Sequence, residues 1–256
     1  MTAVIDLNCD MGESFGHYKL GYDEDVIKYI SSANIACGYH AGDPMVINKT
    51  VAMAGENGVG IGAHPSFPDL QGFGRRNMDL TEEEIRSFVI YQVGAIKTFA
   101  EAYGYTLQHV KPHGAINHMA VADRNIADVI VKSILEIDKN LIFVAIAGTN
   151  LYYAAHDMGM RVASEFFADR NYNPDGTLVS RRQSNALIDD EDFALKRTVR
   201  AVKEGVVEAV DGSTVQVKVD TVCLHGDAPS AVAFSRSIKQ GLQDEGVQVR
   251  PLSAFL

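Results

Sequence analysis

The sequence has no long apolar run and no cluster of basic residues, and each absence argues against a class of protein. No uninterrupted apolar stretch approaches the roughly 20 residues that a membrane-spanning helix needs. The 256 residues carry 33 acidic and 23 basic side chains, a formal charge of −10, and the basic residues are spread along the chain. A phosphate-backbone footprint requires clustered Lys and Arg. We therefore expect neither a membrane protein nor a nucleic-acid-binding protein.

Cysteines and targeting signals are also scarce. There are three cysteines, Cys9, Cys37 and Cys223, none of them in a C-x-x-C pair, so at least one stays unpaired. The first residues lack a basic region followed by an apolar core, and Asp6 interrupts the first apolar run. These features predict a protein of the reducing cytoplasm.

Short apolar segments of β type alternate with amphipathic stretches along the whole chain, a rhythm typical of parallel strands joined by helices. Composition alone allows one barrel or two small domains, but no Pro/Gly/Ser-rich linker interrupts the series. We predict one (β/α)-barrel domain over residues 1–256, similar to a TIM barrel. The predicted strands are Val4–Cys9, Ala33–Cys37, Val59–Ala63, His109–Pro112, Leu141–Ala145, Arg161–Glu165 and Asp220–Leu224, with Val247–Arg250 as a possible eighth.

Helix boundaries have recognisable signals. Asp43 before Pro44 predicts an N-cap and a helix to about residue 57, and Thr81 with Glu84 predicts a capping box ahead of a helix that stops at Gly104. Further helices are predicted near Arg124–Ile137, Asp190–Glu204 and Pro229–Glu245. The long irregular segments Ser66–Asp79 and Phe166–Ile188 are predicted to be lids or binding loops.

Polar residues follow directly after most of the predicted strands. In a (β/α) barrel these positions share the C-terminal face, where active sites form. The predicted catalytic residues on this face are Asp10, Glu13, His40, His64, Lys111, His113, Glu165 and His225, and the predicted substrate-binding residues are Asn8, Asn34, Tyr39, Arg75, Arg76, Arg170, Arg181 and Asp227.

Two chemistries fit this set. Asp10 with the imidazoles could hold a divalent metal that activates water, or these groups could act directly as acid and base. No local H-x-x-x-H pair decides between the two, although Lys111 would repel a nearby cation and so favours direct acid/base chemistry. Arg75 and Arg76 either clamp an anion or are simply solvated, and Arg181 with Arg182 carries the same two interpretations.

No nucleotide-binding motif is present. A Walker-type G-x-x-x-x-G-K-[ST] sequence is missing, and the Gly58-x-Gly60-x-Gly62 run precedes a predicted strand instead of following one. We interpret these glycines as helix termination and close packing.

The polar segments resemble those of the LamB/YcsF family, whose members are understood as the A subunits of bacterial 5-oxoprolinases. The matching motifs run in order along the whole chain and are Asp6–Glu13, Asn34–Pro44, Gly62–Asp69, Gly72–Arg76, Val110–Ala115, Glu165–Tyr172 and Cys223–Asp227.

The resemblance implies ATP-dependent opening of 5-oxo-L-proline to L-glutamate, with Mg²⁺ accompanying ATP and with two partner proteins, subunits B and C. It also implies an irregular seven-stranded barrel of the glycoside hydrolase/deacetylase type. In the deacetylases an Asp and two histidines serve a metal, for which Asp10, His40 and His64 are the nearest positions here. Two alternatives stay open: a metal-dependent amide or polysaccharide deacetylase-like hydrolase, and a metabolite-binding barrel without chemistry.

Overall fold

A closed barrel of seven parallel strands forms the centre of the protein, as predicted. The computed structural model describes residues 3–180, 182–188, 190–224, 226 and 230–256. The ring order is β1-β2-β3-β4-β5-β6-β9, and β9 closes onto β1. The ring strands are β1 Val4–Met11, β2 Ser32–Ala36, β3 Gly60–His64, β4 Leu107–Val110, β5 Ile142–Ala145, β6 Arg161–Phe167 and β9 Thr221–Leu224.

The possible eighth strand also forms, but it lies outside the ring. β10, Gln248–Val249, pairs in parallel with Val4 and Ile5 at the start of β1. β1 closes the barrel through its later residues, so β10 extends one end of a ring that is already complete.

Helices surround the barrel and cover it with apolar side chains. Within the described residues, no helix is long and apolar enough to cross a bilayer. Two short 3₁₀ turns cover Ile27–Tyr29 and Leu252–Ala254. The α-helices are α1 Asp23–Val26, α2 Pro44–Glu56, α3 Glu82–Ala102, α4 Gly114–Ala122, α5 Arg124–Ile137, α6 Asn150–Asp157, α7 Glu191–Glu204 and α8 Ala231–Asp244.

The predicted caps are confirmed. The Asp43 side chain accepts hydrogen bonds from the backbone N–H groups of Met45 and Val46, which fixes the start of α2. Thr81 and Glu84 form the reciprocal capping box of α3. Each cap satisfies backbone donors that the first helical turn leaves without a partner inside the helix.

Several elements were not predicted: the single-turn helix α1, the two 3₁₀ turns, the short helices α4 and α6, and an antiparallel hairpin of β7, Val206–Glu208, with β8, Thr214–Gln216. α4 begins at Gly114, whose φ of 64° lets the next residue donate its N–H to the Gly74 carbonyl. The start of α4 is therefore fixed by a contact with the loop that carries Gly74.

Gly58 follows the end of α2 with a φ of 66°, and Gly60 and Gly62 within β3 allow close packing, in agreement with the prediction of helix termination and close packing. A Cβ on Gly60 would lie 2.3 Å from Nε2 of Gln108, and one on Gly62 would lie 2.0 Å from Nε2 of His109. These two positions therefore admit polar side chains of β4 into the barrel interior.

Candidate active site

Most of the described residues of the predicted polar set converge at the C-terminal ends of the strands, where eight of them line a cavity of about 660 Å³. The long loops before α3 and after β6 also contribute to its walls, as expected of binding loops. The predicted residues that line this cavity are Asp10, Glu13, His64, Arg75, Lys111, His113, Glu165 and Arg170.

Lys111 is buried at the floor of the cavity between two carboxylates. Its Nζ lies 3.0 Å from Oδ1 of Asp10 and 2.8 Å from Oε1 of Glu165. It also donates a hydrogen bond to Oδ1 of Asn8, at 3.2 Å. Burial alone would lower the pKa of this ammonium, but the neighbouring carboxylates outweigh burial and raise the pKa well above its usual value. Lys111 is therefore a fixed positive charge.

Contacts with three side chains fix the carboxylate of Asp10. Oδ1 accepts hydrogen bonds from Nδ2 of Asn34, at 2.8 Å, and from Lys111, while Oδ2 lies 3.3 Å from Nε2 of His64. Burial opposes ionisation of this carboxyl group, yet His64 and Lys111 outweigh it and hold its pKa well below the usual value. Asp10 is thus an ionised group in a fixed orientation, suited to aligning a water molecule or a cationic group.

A polar network inside the barrel orients Asn34, and through it Asp10. Asn34 Oδ1 lies 2.8 Å from Nε2 of His109, whose Nδ1 lies 3.1 Å from the amide nitrogen of Gln108. The amide can only donate, so Nδ1 of His109 accepts and Nε2 carries the proton. Asn34 therefore presents both of its N–H groups to Asn8 and Asp10.

His109 and Asp6, which belong to this network, were not predicted as site residues. Asp6 is fully buried and accepts hydrogen bonds from Ser31, Ser32 and Thr221. A signal was available, because side chains two apart in a barrel strand point to the same side. Asp6, Asn8 and Asp10 have this spacing in β1, and so do His109 and Lys111 around the end of β4.

Three histidines and Glu13 form a compact cluster beside Asp10. Potential ligand atoms of Glu13, His40, His64 and His113 all lie within 4.8 Å of one another. The His40 and His113 rings stack with centroids 3.9 Å apart, and Nδ1 of His113 lies 2.9 Å from Nε2 of His64. Burial, followed by the neighbouring histidines, lowers the pKa of His113 to about 3 and that of His40 well below its usual value.

Five of the described predicted residues do not line the cavity. Three of them contact lining residues: Asn8 contacts Lys111, Asn34 contacts Asp10, and His40 stacks on His113. The other two, Tyr39 and Arg76, make different contacts. Tyr39 packs edge-on against Phe88 and stacks with Tyr91. Arg76 binds the buried carboxylate of Asp69 through both Nε and a terminal nitrogen, and so fastens the loop that carries Arg75. The predicted Arg181, His225 and Asp227 lie outside the described residues.

Known proteins align with this chain over nearly its whole length. The sequence model of the LamB/YcsF family matches residues 5–256. This chain belongs to the LamB/YcsF family. It is 55% identical over 252 residues to a protein of Natranaerobius thermophilus and 52% identical to one of Pyrococcus horikoshii, both of which are named as the A subunit of 5-oxoprolinase. Each match covers 98% of this chain and 98% or 99% of the relative.

A solved structure agrees with this family assignment. The crystal structure of a lactam utilization protein from Thermus thermophilus superposes with a TM-score of 0.93 at 43% identity, covering 96% of this chain and 99% of that one. The barrel described above is therefore shared with a family member of nearly the same extent.

Proposed function

We propose that this chain is the A subunit of a 5-oxoprolinase, which opens 5-oxo-L-proline to L-glutamate while ATP is hydrolysed to ADP and phosphate. The observation that carries the proposal is the agreement in name among relatives aligned over 98% of this chain. The Thermus relative, named for lactam utilization, supports the same class of substrate. We further propose that residues 1–256 act as one catalytic domain, working with subunits B and C.

The chemistry of the substrate accounts for the use of ATP. A five-membered lactam has little strain and a poor leaving group, so water alone attacks it slowly. Phosphorylation of the lactam oxygen would turn the carbonyl carbon into a much stronger electrophile. The proposed task of this barrel is to hold the lactam and to direct water to that carbon while stabilising the developing charge. The ring C–N bond then breaks, its nitrogen takes up a proton, and the phosphoryl group leaves as phosphate, which gives L-glutamate.

Residues of the cavity are assigned to this task as follows. Asp10, ionised and fixed by Lys111 and Asn34, would align the attacking water. Arg75 and Arg170, both in the cavity wall, would offset the carboxylate of 5-oxoproline or a phosphoryl group. The cavity of about 660 Å³ exceeds what one small lactam fills, which leaves room for an activated, phosphorylated form.

The proposed location is the cytoplasm, where ATP is available. Cys9, Cys37 and Cys223 are all buried and unpaired, as expected of a protein in a reducing compartment. We assign to this barrel the binding of the lactam and the attack of water on it. We assign the phosphorylation to the one of the three proteins that binds ATP.

Reconstitution tests the proposal. The purified chain is mixed with candidate B and C subunits, 5-oxoproline, ATP and Mg²⁺, and glutamate is measured as each component is omitted in turn. We expect glutamate only in the complete mixture, in proportion to ADP. Turnover of an amide or acetylated sugar by this chain alone, with a metal and without nucleotide, would instead establish the hydrolase alternative.

A further inference from the structure

The histidine cluster has a hydrogen-bonding arrangement that acid/base chemistry leaves unexplained. A neutral imidazole has one N–H donor and one nitrogen lone pair. In each of the three histidines the partner of one ring nitrogen fixes which nitrogen carries the proton. The position of the remaining lone pairs then follows from the geometry.

The outward-facing nitrogens all donate. Nδ1 of His64 lies 2.6 Å from the Lys111 carbonyl, and Nε2 of His113 lies 2.9 Å from the Phe73 carbonyl. Both carbonyls can only accept. Nδ1 of His40 lies 2.9 Å from the Ser66 hydroxyl, which itself donates to the Phe67 carbonyl and therefore accepts from His40.

The inward-facing nitrogens consequently carry lone pairs. Nδ1 of His113 and Nε2 of His64 lie 2.9 Å apart, and two lone pairs at that distance repel unless a positive species lies against them. Nε2 of His40 belongs to a side chain with no exposed surface and makes no hydrogen bond to any residue that the structure describes. Oε1 of Glu13 lies 3.6 Å from it and, as a carboxylate oxygen, is also an acceptor.

We propose that Glu13, His40, His64 and His113 bind one divalent transition-metal ion of the zinc type. One cation satisfies the three lone pairs and the carboxylate together. A proton on Nε2 of His64 would instead be shared between His113 and Oδ2 of Asp10, at 2.9 and 3.3 Å, and would leave Nε2 of His40 without a donor. Outer hydrogen bonds from metal-binding histidines to carbonyl or hydroxyl oxygens are the usual means of fixing the ring orientation. Potential ligand atoms of all four residues lie within 4.8 Å of one another.

The chemistry of the donors selects the class of metal. Imidazole nitrogen suits Zn²⁺, Co²⁺ and related ions, whereas Mg²⁺ prefers oxygen ligands and retains several waters. The Mg²⁺ that accompanies ATP is therefore not the ion of this cluster. Lys111 does not exclude a cation here, because its charge is already offset by Asp10 and Glu165.

The set of ligands differs from the one that the sequence suggested. Glu13 and His113 join His40 and His64 in the cluster, while Asp10 is bound by Lys111 and Asn34. An ion bound here would act as a Lewis acid that polarises a carbonyl or phosphoryl oxygen at the edge of the cavity. The inference stands on the geometry of the cluster and does not depend on the identity of the substrate.

Metal binding by the full chain tests the inference directly. Protein freed of metal by a chelator is titrated with Zn²⁺, Co²⁺ and Mg²⁺ by calorimetry, and bound metal is counted after dialysis. We expect one Zn²⁺ or Co²⁺ per chain and no Mg²⁺ at the same concentrations. His113→Asn and Glu13→Gln each remove a direct ligand and should weaken Zn²⁺ binding by at least about 100-fold, since the loss of an outer-shell partner of a ligand already costs about 10–100-fold. His156→Asn, at a histidine whose side chain is 69% exposed, is the matched control and should bind as the wild type does.

X-ray absorption of the Zn²⁺-loaded wild-type chain keeps the test decisive if a variant fails to fold. We expect nitrogen and oxygen ligands at about 2.0–2.1 Å with imidazole scattering, and no sulfur at about 2.3 Å. The absence of stoichiometric Zn²⁺ or Co²⁺ binding, a sulfur shell, or equal affinity in folded His113→Asn and His156→Asn would overturn the inference. None of these results depends on turnover, so the proposed reaction and the metal site can fail separately.

Discussion

Replacing Lys111 by methionine should be among the most destabilising single changes in this barrel. The side chain is 7% exposed, and its ammonium lies within 3.0 Å of carboxylate oxygens of both Asp10 and Glu165. Methionine has a similar length but no charge, so the substitution leaves two buried carboxylates without the cation they share. Removing one partner of a buried ion pair typically costs about 3–5 kcal/mol, because the remaining charge is uncompensated.

The size of the effect is measured by urea unfolding followed by circular dichroism. We expect a lower midpoint with an unchanged slope, corresponding to a loss of about 3–5 kcal/mol in the free energy of unfolding. Lys28→Met is the control, because Lys28 forms an exposed ion pair with Asp25. That pair should contribute less than about 1 kcal/mol.

A second substitution separates charge from packing. Glu165→Gln removes one of the two carboxylates that Lys111 balances, so its combination with Lys111→Met should cost less than the sum of the single changes, by about 1–3 kcal/mol. If Lys111→Met costs no more than Lys28→Met, or if the two changes are strictly additive, the ammonium does not balance buried charge as we have argued.

Two further predictions concern the barrel interior. Gly62→Ala should destabilise the protein by about 1–3 kcal/mol, because the new Cβ would lie 2.0 Å from the His109 ring. Gly94→Ala in α3 is the control: no atom lies within 4 Å of its Cβ, so it should stabilise the protein by up to about 1 kcal/mol. Equal effects of the two substitutions in thermal unfolding would refute this difference. Burial raises the pKa of Asp6 to about 6 from 3.8, so the folded state retains a proton that the unfolded state has lost between these values, and stability falls as pH rises through that interval. From about pH 4 to about pH 7, the unfolding free energy of Asp6→Asn should rise relative to the wild type by about 3 kcal/mol, and a difference independent of pH would contradict this assignment.

Much of the barrel was predictable because its signals are local. Strand ends followed by polar residues, the Asp43 cap and the capping box at Thr81 each occupy a few consecutive positions, and all of them are present as expected. The β7–β8 hairpin was missed although Asp211-Gly212 is a typical turn signal between its two short strands. Three-residue strands are too short for alternation to be recognised.

The sequence predicted which residues belong to the site better than it predicted how they are arranged. Residues at the ends of barrel strands share one face of the barrel, and this rule brings together Asp10, His64, Lys111 and Glu165. The cluster that joins Glu13 and His113 to His40, without Asp10, depends on the path of loop 65–81, because Ser66 contacts Nδ1 of His40 and the Phe73 carbonyl accepts a hydrogen bond from Nε2 of His113. That path is set by contacts between distant segments, such as the hydrogen bond from the Ala115 N–H to the Gly74 carbonyl.

The effect of Asp10→Asn in the reconstituted complex tests the central claim most directly. Glutamate formation and 5-oxoproline-dependent ATP hydrolysis are measured with wild-type chain, with Asp10→Asn and with Asp25→Asn, a surface control whose side chain is 59% exposed. We predict that Asp10→Asn lowers glutamate formation by about 10²–10⁴-fold, because Asp10 lines the cavity. Asp25→Asn should have no effect, because Asp25 does not line it. If the folded Asp10→Asn chain supports glutamate formation at the wild-type rate, the C-terminal face of this barrel is not where the lactam is opened.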